Sequence, residues 1–468
     1  MCRPLILVLF VCATLNPLPA QPIVPLPDAT PWQISGNPNL GRYQKATQQP
    51  VDFCIWQAAD GTWQLWSCMR NTAYPGNTRL LYGWEGRKLT DSHWKPTGIK
   101  MTSEPRLGEA EGGLQAPHVV RVGKRFIMAY GDWENICFAE STDGKAFRRI
   151  IQPNGKTAAF SEGPRSNTRD PQLIRIGNLW HCYYTAIVGE KGYIFCRTSP
   201  DLKTWSPSCV VAYGGKVGTG PWWAECPFVA EPAPGEFILL RNKYYGTGAQ
   251  HWSYYSKNPL NFGIDYDGGL TSEFPTAAPE IVRDGNAWYL ATLRNTLDGI
   301  QLTRLHWGRL ARVGKPVFDF ADPHVRADFK LKSGDLPFTF TRQTHVAFRG
   351  ETDHVIGTAE TPQGGFDDHY TGVIESPSFT LTESEYRLLI AGSGDAAKAR
   401  VALVDATSGA ELARWAGHFN NELEVVTFDA AKLKGRQARL QVIDASPDPW
   451  GHINFGGLFT APQAHRID

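Results

Sequence analysis

The sequence predicts an all-β protein, a five-bladed β-propeller followed by a β-sandwich of jelly-roll type, and three observations carry that prediction. Glycine (46) and proline (33) make up about 17% of the 468 residues, against an average of roughly 12%, and Trp, Tyr and Phe number 16, 16 and 23. That mixture favours short strands and tight turns over long helices. A strand-turn-strand pattern recurs every 40 to 60 residues, roughly, through the first two thirds of the chain, the signature of repeated blades. Beyond about Pro323 the repeat stops, but short alternating strands continue.

The first twenty residues read as an export leader. Arg3 precedes an apolar run from Leu5 to Ala13 that is too short to cross a bilayer, and Leu18-Pro19-Ala20 offers a small residue for cleavage. The mature chain is therefore expected to be secreted or periplasmic, with no membrane attachment after cleavage. Lys and Arg (47) balance Asp and Glu (46), so no net field steers a nucleic acid to the surface.

The propeller is expected over residues 40–312. Pro117 to Tyr130 is echoed by Pro171 to Tyr184 and by Pro279 to Thr292; Pro227 to Arg241 fits with a small insertion, and Val51 to Trp66 fits without the proline. Each copy has a strand, a turn at Gly61, Gly123, Gly177, Gly235 or Gly285, and a second strand rich in aromatic and β-branched residues. A further element trails the middle copies: Ser141-Thr-Asp-Gly-Lys-Ala-Phe147, Ser199-Pro-Asp-Leu-Lys-Thr-Trp205 and Ser256-Lys-Asn-Pro-Leu-Asn-Phe262. These predict outer turns in which a Ser or Asp side chain bonds local backbone and an aromatic ring plugs the gap between sheets. Radial packing of such units hides sheet edges and leaves an axial channel lined by each blade's first strand.

Loss of Cys2 and Cys12 with the leader leaves seven cysteines, an odd number, so the chain is not a disulfide scaffold. Cys182 and Cys196 lie seven residues either side of Gly189 and would face each other if that glycine tops a hairpin. Buried free thiols are the alternative, and no pair has the clustered spacing of a zinc site.

The start of each copy brings Asp52, Ala116, Asp170, Glu225 and Ala278 toward the axis. Carboxylates crowded in one funnel repel and shift one another's pKa values, an arrangement that serves chemistry or holds a hard cation. Two carboxylates flanking a glycosidic bond are the usual machinery for its hydrolysis. No metal or organic cofactor is expected, and the expected partner is a carbohydrate substrate.

Arg169-Asp170-Pro171 and Glu225-Cys226-Pro227 resemble the Arg-Asp-Pro and Glu-Cys motifs of glycoside hydrolase family 32, the invertase and levanase group, which shares its five-bladed propeller with family 43. The resemblance implies Asp52 as nucleophile, Asp170 as the residue stabilising the transition state and Glu225 as acid/base, with Arg169 orienting Asp170 or holding substrate hydroxyls. It departs at the first motif: family 32 has Trp-Met-Asn-Asp-Pro-Asn-Gly around its nucleophile, whereas this chain has Gln49-Pro-Val-Asp52-Phe-Cys-Ile. Trp133, Trp222 and Trp223 are candidates to stack on sugar faces, each against a packing alternative. His118, after a blade-start alanine and proline, and Asp132, near the end of a second strand, are further substrate-binding candidates. Tyr244 and Arg241 are weaker ones.

The sandwich is expected over residues 323–462, with strands at 372–381, 386–391, 399–405, 422–429 and 438–444. Ser376-Pro-Ser-Phe379 and Trp450-Gly-His-Ile-Asn454 resemble the jelly-roll module that accompanies some bacterial levanase-like proteins. Bracing the propeller is the favoured role over sugar binding, and His452 and Asn454 are expected to be structural.

Overall fold

The computed structural model describes residues 22–265, 267–309, 313–337, 339–341, 354–361, 365–462 and 465–466; the expected leader lies outside them. The described residues divide into two compact units, one formed by residues up to 309 with 465–466 and the other by 313–462. The fold is nearly all antiparallel β, a propeller unit and a sandwich unit.

The propeller unit contains five antiparallel sheets. Their inner strands are Gln49–Gln57, Gln115–Val122, Arg169–Ile176, Glu225–Ala233 and Ala277–Asp284. Each lies against the next and the fifth lies against the first, which closes a ring. Every inner strand turns into its partner through one of the five glycines named above, all with φ between 58° and 85°, a region that costs glycine nothing. The expected start at residue 40 omits two strands, because Ile23–Pro27 and Trp32–Gly36 both pair with Gly299–Arg309 and complete the fifth sheet.

The trailing turns lock neighbouring sheets together. Gly144 and Leu202 donate backbone N–H groups to Ser141 and Ser199 hydroxyls, both at 2.8 Å, while Asp143 and Asp201 carboxylates accept from the amides that follow. Each turn thereby aims its aromatic at the preceding sheet. Phe147 lies 5.2 Å from Trp66, Trp205 stacks on Phe138 at 5.5 Å, and Phe262 meets Tyr183 at 6.3 Å.

The possible facing of Cys182 and Cys196 across a hairpin at Gly189 is ruled out by register, which leaves the alternative of buried free thiols. Cys182 stands opposite Arg197 and Cys196 opposite Tyr183, so the two thiols project from opposite faces. Their packing agrees, since Cys182 sits with Ile127 and Phe138 and Cys196 with Val229 and Phe237.

In the sandwich unit, two sheets enclose a core that includes Phe320, Phe329, Tyr386, Leu388, Val401, Leu440 and Phe455. It begins before the expected residue 323, because Pro316–Asp319 pairs with Ile453–Thr460. The expected strand at 372–381 is two, Gly372–Glu375 and Phe379–Thr380, with Pro377 between them lacking the N–H a ladder needs. Ser376 closes that gap by accepting the Leu440 N–H at 2.9 Å. His452 is buried and pairs with Asp368 at 2.7 Å, while the Asn454 amide reaches Glu360 at 2.9 Å.

Candidate active site

The five inner strands share a local irregularity. Each carries a bulge at the same point, between Val51 and Phe53, Gln115 and His118, Arg169 and Gln172, Glu225 and Phe228, and Ala277 and Glu280. The residues there, Asp52, Ala116, Asp170, Cys226 and Ala278, all adopt positive φ between 28° and 55°. None is glycine, so each position stores on the order of 1 kcal/mol of strain. Five repetitions of that strain around one axis mark the place where the ring gives up regularity to aim side chains.

A hollow at this level is lined by Asp52, Asp170 and Cys226 together with the blade-start prolines Pro117, Pro171, Pro227 and Pro279. Glu225 is not part of that lining. It stands one residue before the bulge position, beside the hollow, with its side chain 14% exposed and Oε1 3.0 Å from Arg169 Nη2. The buried Arg169 guanidinium therefore bridges two carboxylates, since its Nε lies 3.6 Å from Asp170 Oδ2. Asn167 fixes the other edge of the guanidinium, accepting from Nη1 through its backbone and side-chain oxygens at 3.0 and 2.9 Å.

Asp52 and Asp170 are joined through the fourth sheet. The Cys226 N–H donates to Asp170 Oδ2 at 3.1 Å, and the Cys226 thiol donates to Asp52 Oδ1 at 3.3 Å. The Tyr245 hydroxyl donates to the same Asp52 oxygen at 2.8 Å. Burial first, then the neighbouring carboxylates, keep both Tyr245 and Cys226 protonated, so Asp52 faces two fixed donors that suit a negative charge.

Burial pushes the Asp170 carboxyl up to about 7; the charges of Asp52 and Glu225 add to the rise and Arg169 opposes it. Burial likewise raises Glu225, with Asp52 adding and Arg169 opposing. The site thus holds a proton near neutral pH beside a carboxylate supplied with donors. Carboxyls raised by burial beside a carboxyl held by two donors are an arrangement suited to acid catalysis combined with nucleophilic or base assistance.

The remaining candidates fall into three groups. Trp222 also has a cationic partner, the Arg169 guanidinium lying 4.9 Å over its ring, but it is 51% exposed and so keeps much of its aromatic surface open. Trp223 is half-buried under Lys243, 4.0 Å away, and Trp133 packs against Arg79 at 4.7 Å, so both rings have cationic partners already. His118 and Asp132 do not present themselves to a ligand in the hollow. His118 sits one layer deeper, buried, where Nδ1 accepts the Leu173 N–H at 3.2 Å and burial drives its pKa down to about 3. Asp132 is 1% exposed, and its Oδ1 accepts from the amides of Glu134 and Asn135, which makes it the pin of its own turn. Arg241 is also structural: its guanidinium donates to the carbonyls of Gly214, Gly218 and Trp223. Tyr244 projects outward at 41% exposure, and its neighbour Tyr245 is the residue that reaches the site.

In the deeper layer, Cys54, His118 and Glu280 place donor atoms within 4.8 Å of one another, and among the described residues they are the group able to gather on a metal ion. They line a second cavity of about 350 Å³, and Glu280 lines the axial hollow as well. With Leu173 occupying Nδ1, the neutral imidazole carries its proton on Nε2, which leaves no lone pair for a cation.

No family model matches the chain. A curated relative, the "Putative glycosyl hydrolase ecdE" of Aspergillus rugulosus, is 31% identical over 296 residues, 61% of this chain and 37% of that protein. The chain thus spans a little over a third of that relative's length. Among solved structures, the endo-arabinase of Bacteroides thetaiotaomicron is 14% identical over 55% of this chain and 94% of its own, with a TM-score of 0.43. A family 32 β-fructofuranosidase of Bombyx mori is 14% identical over 92% of each chain, with a TM-score of 0.40.

Proposed function

We propose that this protein is an exported glycoside hydrolase acting on oligo- or polysaccharides. The observation that carries the reading is the linked set of three carboxylates from three sheets: Asp170 and Glu225 tied through Arg169, and Asp170 and Asp52 tied through Cys226. Glu225 donates its proton to the departing glycosidic oxygen. Asp52, held by Tyr245 and Cys226, attacks the anomeric carbon or activates water. Asp170, buried beside both, stabilises positive charge that develops on the sugar ring when it is ionised, and its raised pKa keeps the cluster from readily carrying three negative charges at once. Trp222 offers a stacking surface at the rim. The Arg-Asp-Pro and Glu-Cys motifs favour a β-fructosidase acting on fructan or sucrose; the divergent segment around Asp52 supports the second reading, an arabinan or xylan hydrolase of the family 43 kind. The apolar run behind Arg3 supports secretion or a periplasmic location.

The test is release of reducing sugar from sucrose, inulin, levan, arabinan, xylan and arylglycosides, with Glu225→Gln as the paired variant. Turnover of at least one substrate should fall by about 10³-fold or more in that variant while ligand binding persists. Full activity in Glu225→Gln removes the acid assignment. Binding without turnover by the unaltered protein replaces the enzyme with a sugar-binding propeller.

A further inference from the structure

The third sheet places a second pair of cysteines in register. Its strands run Arg169–Ile176, Leu179–Val188, Lys191–Ser199 and Cys209–Ala212, and in the last pairing Cys196 stands directly opposite Cys209. Opposed residues of an antiparallel pair share one face, with Cα atoms about 4.5–5.5 Å apart. That span falls inside the roughly 4.4–6.8 Å that a disulfide bridges. The Cys209 sulfur already leans across the ladder, 3.7 Å from the Cys196 carbonyl oxygen. Cys209 is exposed on the edge strand, whereas Cys196 is buried beneath it.

We propose that Cys196 and Cys209 are a disulfide-forming pair, which a low-molecular-weight disulfide oxidant converts to a cross-strand bridge. The Cys209 thiolate attacks one sulfur of the oxidant, forming a mixed disulfide and releasing one thiol. The Cys196 thiolate then displaces the second thiol, closing the Cys196–Cys209 bond. The two protein thiols lose two protons and two electrons, and the oxidant leaves as two thiols. Accessibility sets the order, since only Cys209 meets solvent. The segment the bridge closes contains Trp205, the ring stacked on Phe138 of the second sheet, so the bond fastens the short edge strand and the plug that joins two sheets.

Oxidised glutathione is the probe. The purified protein is incubated with it under native conditions, alkylated and digested with trypsin. Cleavage after Lys191, Arg197, Lys203 and Lys216 separates the two cysteines into peptides 192–197 and 204–216. The expected product is these two peptides joined, two hydrogens lighter than their sum, and absent from Cys209→Ser. Oxidation should also raise the melting temperature by about 5 °C in the unaltered protein and leave Cys209→Ser and Cys196→Ala unshifted. Recovery of both peptides alkylated, of Cys209 only as its glutathione adduct, or of Cys196 joined to Cys182 overturns the proposal. None of these readouts depends on glycosidase activity.

Discussion

Replacing Asp170 with Asn should stabilise the protein, and by an amount that depends on pH. The Asp170 carboxyl moves from 3.8 to about 7 on folding, chiefly because burial disfavours its charge. A raised carboxyl binds its proton more tightly in the folded state, so stability is lost as pH climbs from the unfolded value toward the folded one. At pH 8 the group is ionised in both states, and the buried charge costs on the order of 4 kcal/mol. At pH 5 the folded protein holds the proton, and the cost is roughly 1.5 kcal/mol. Asn cannot ionise, yet its oxygen still accepts the Cys226 N–H that Asp170 accepts at 3.1 Å. The variant should therefore gain roughly 2.5 kcal/mol more at pH 8 than at pH 5, a difference from which any pH-independent effect of the amide cancels. Urea unfolding followed by tryptophan fluorescence reads this well, because of the 16 tryptophans only Trp415 and Trp450 lie outside the propeller unit. Equal changes at the two pH values, or a larger gain at pH 5, would show that Asp170 is not a buried, raised carboxyl. Lost activity together with gained stability would mark a site held ready at the expense of the fold.

Other substitutions separate site from scaffold. Tyr245→Phe removes one of two donors to Asp52 and should lower kcat about 10- to 100-fold with the melting temperature nearly unchanged, checked by steady-state kinetics and thermal denaturation. Trp222→Ala at the exposed rim should raise KM for an oligosaccharide several-fold and alter stability by less than about 0.5 kcal/mol, which titration and denaturant midpoints measure. Phe147→Ala opens the gap beside Trp56 and Trp66 and should cost about 2 kcal/mol, since the ring is only partly buried, as read from urea midpoints. Arg241→Met leaves three carbonyls of the 214–223 segment without their donor and should destabilise by about 3 kcal/mol or more.

The fold was legible because each blade writes its own punctuation. Gly61, Gly123, Gly177, Gly235 and Gly285 need left-handed backbone at hairpin turns, and the Ser-x-Asp turns need short polar side chains at fixed offsets. Chemical necessity makes such residues visible in one sequence. The N-terminal strands that finish the fifth sheet were not visible, since Ile23–Pro27 and Trp32–Gly36 belong to no repeat and their partners lie more than 260 residues away. Tyr245 was missed because nothing local distinguishes a tyrosine that reaches the axis from Tyr244 beside it, which faces solvent, and Cys226 was named only within its motif, not as a donor to Asp52.

The site was half legible, and the bulge explains which half. Read as regular strands, the repeats set Glu225 level with Asp52 and Asp170, but the residue at that level is Cys226. Glu225 occupies the place that Arg169 holds in the third sheet, one step before the strained position. A regular strand would send neighbours to opposite faces. The bulge suspends that alternation, so Arg169 and Asp170 from one strand, and Glu225 and Cys226 from the next, all enter one network. Asp, Ala and Cys give no sign in sequence that they will take positive φ, because the ring around them, not their own preference, imposes it. Irregular backbone at the axis is thus the feature that lets two adjacent strands deliver an arginine and two carboxylates within 3.6 Å of it, with the third carboxylate reached through Cys226. Deleting one residue at the bulge of the third or fourth inner strand would return that strand to alternation and turn one of its two members of the cluster away.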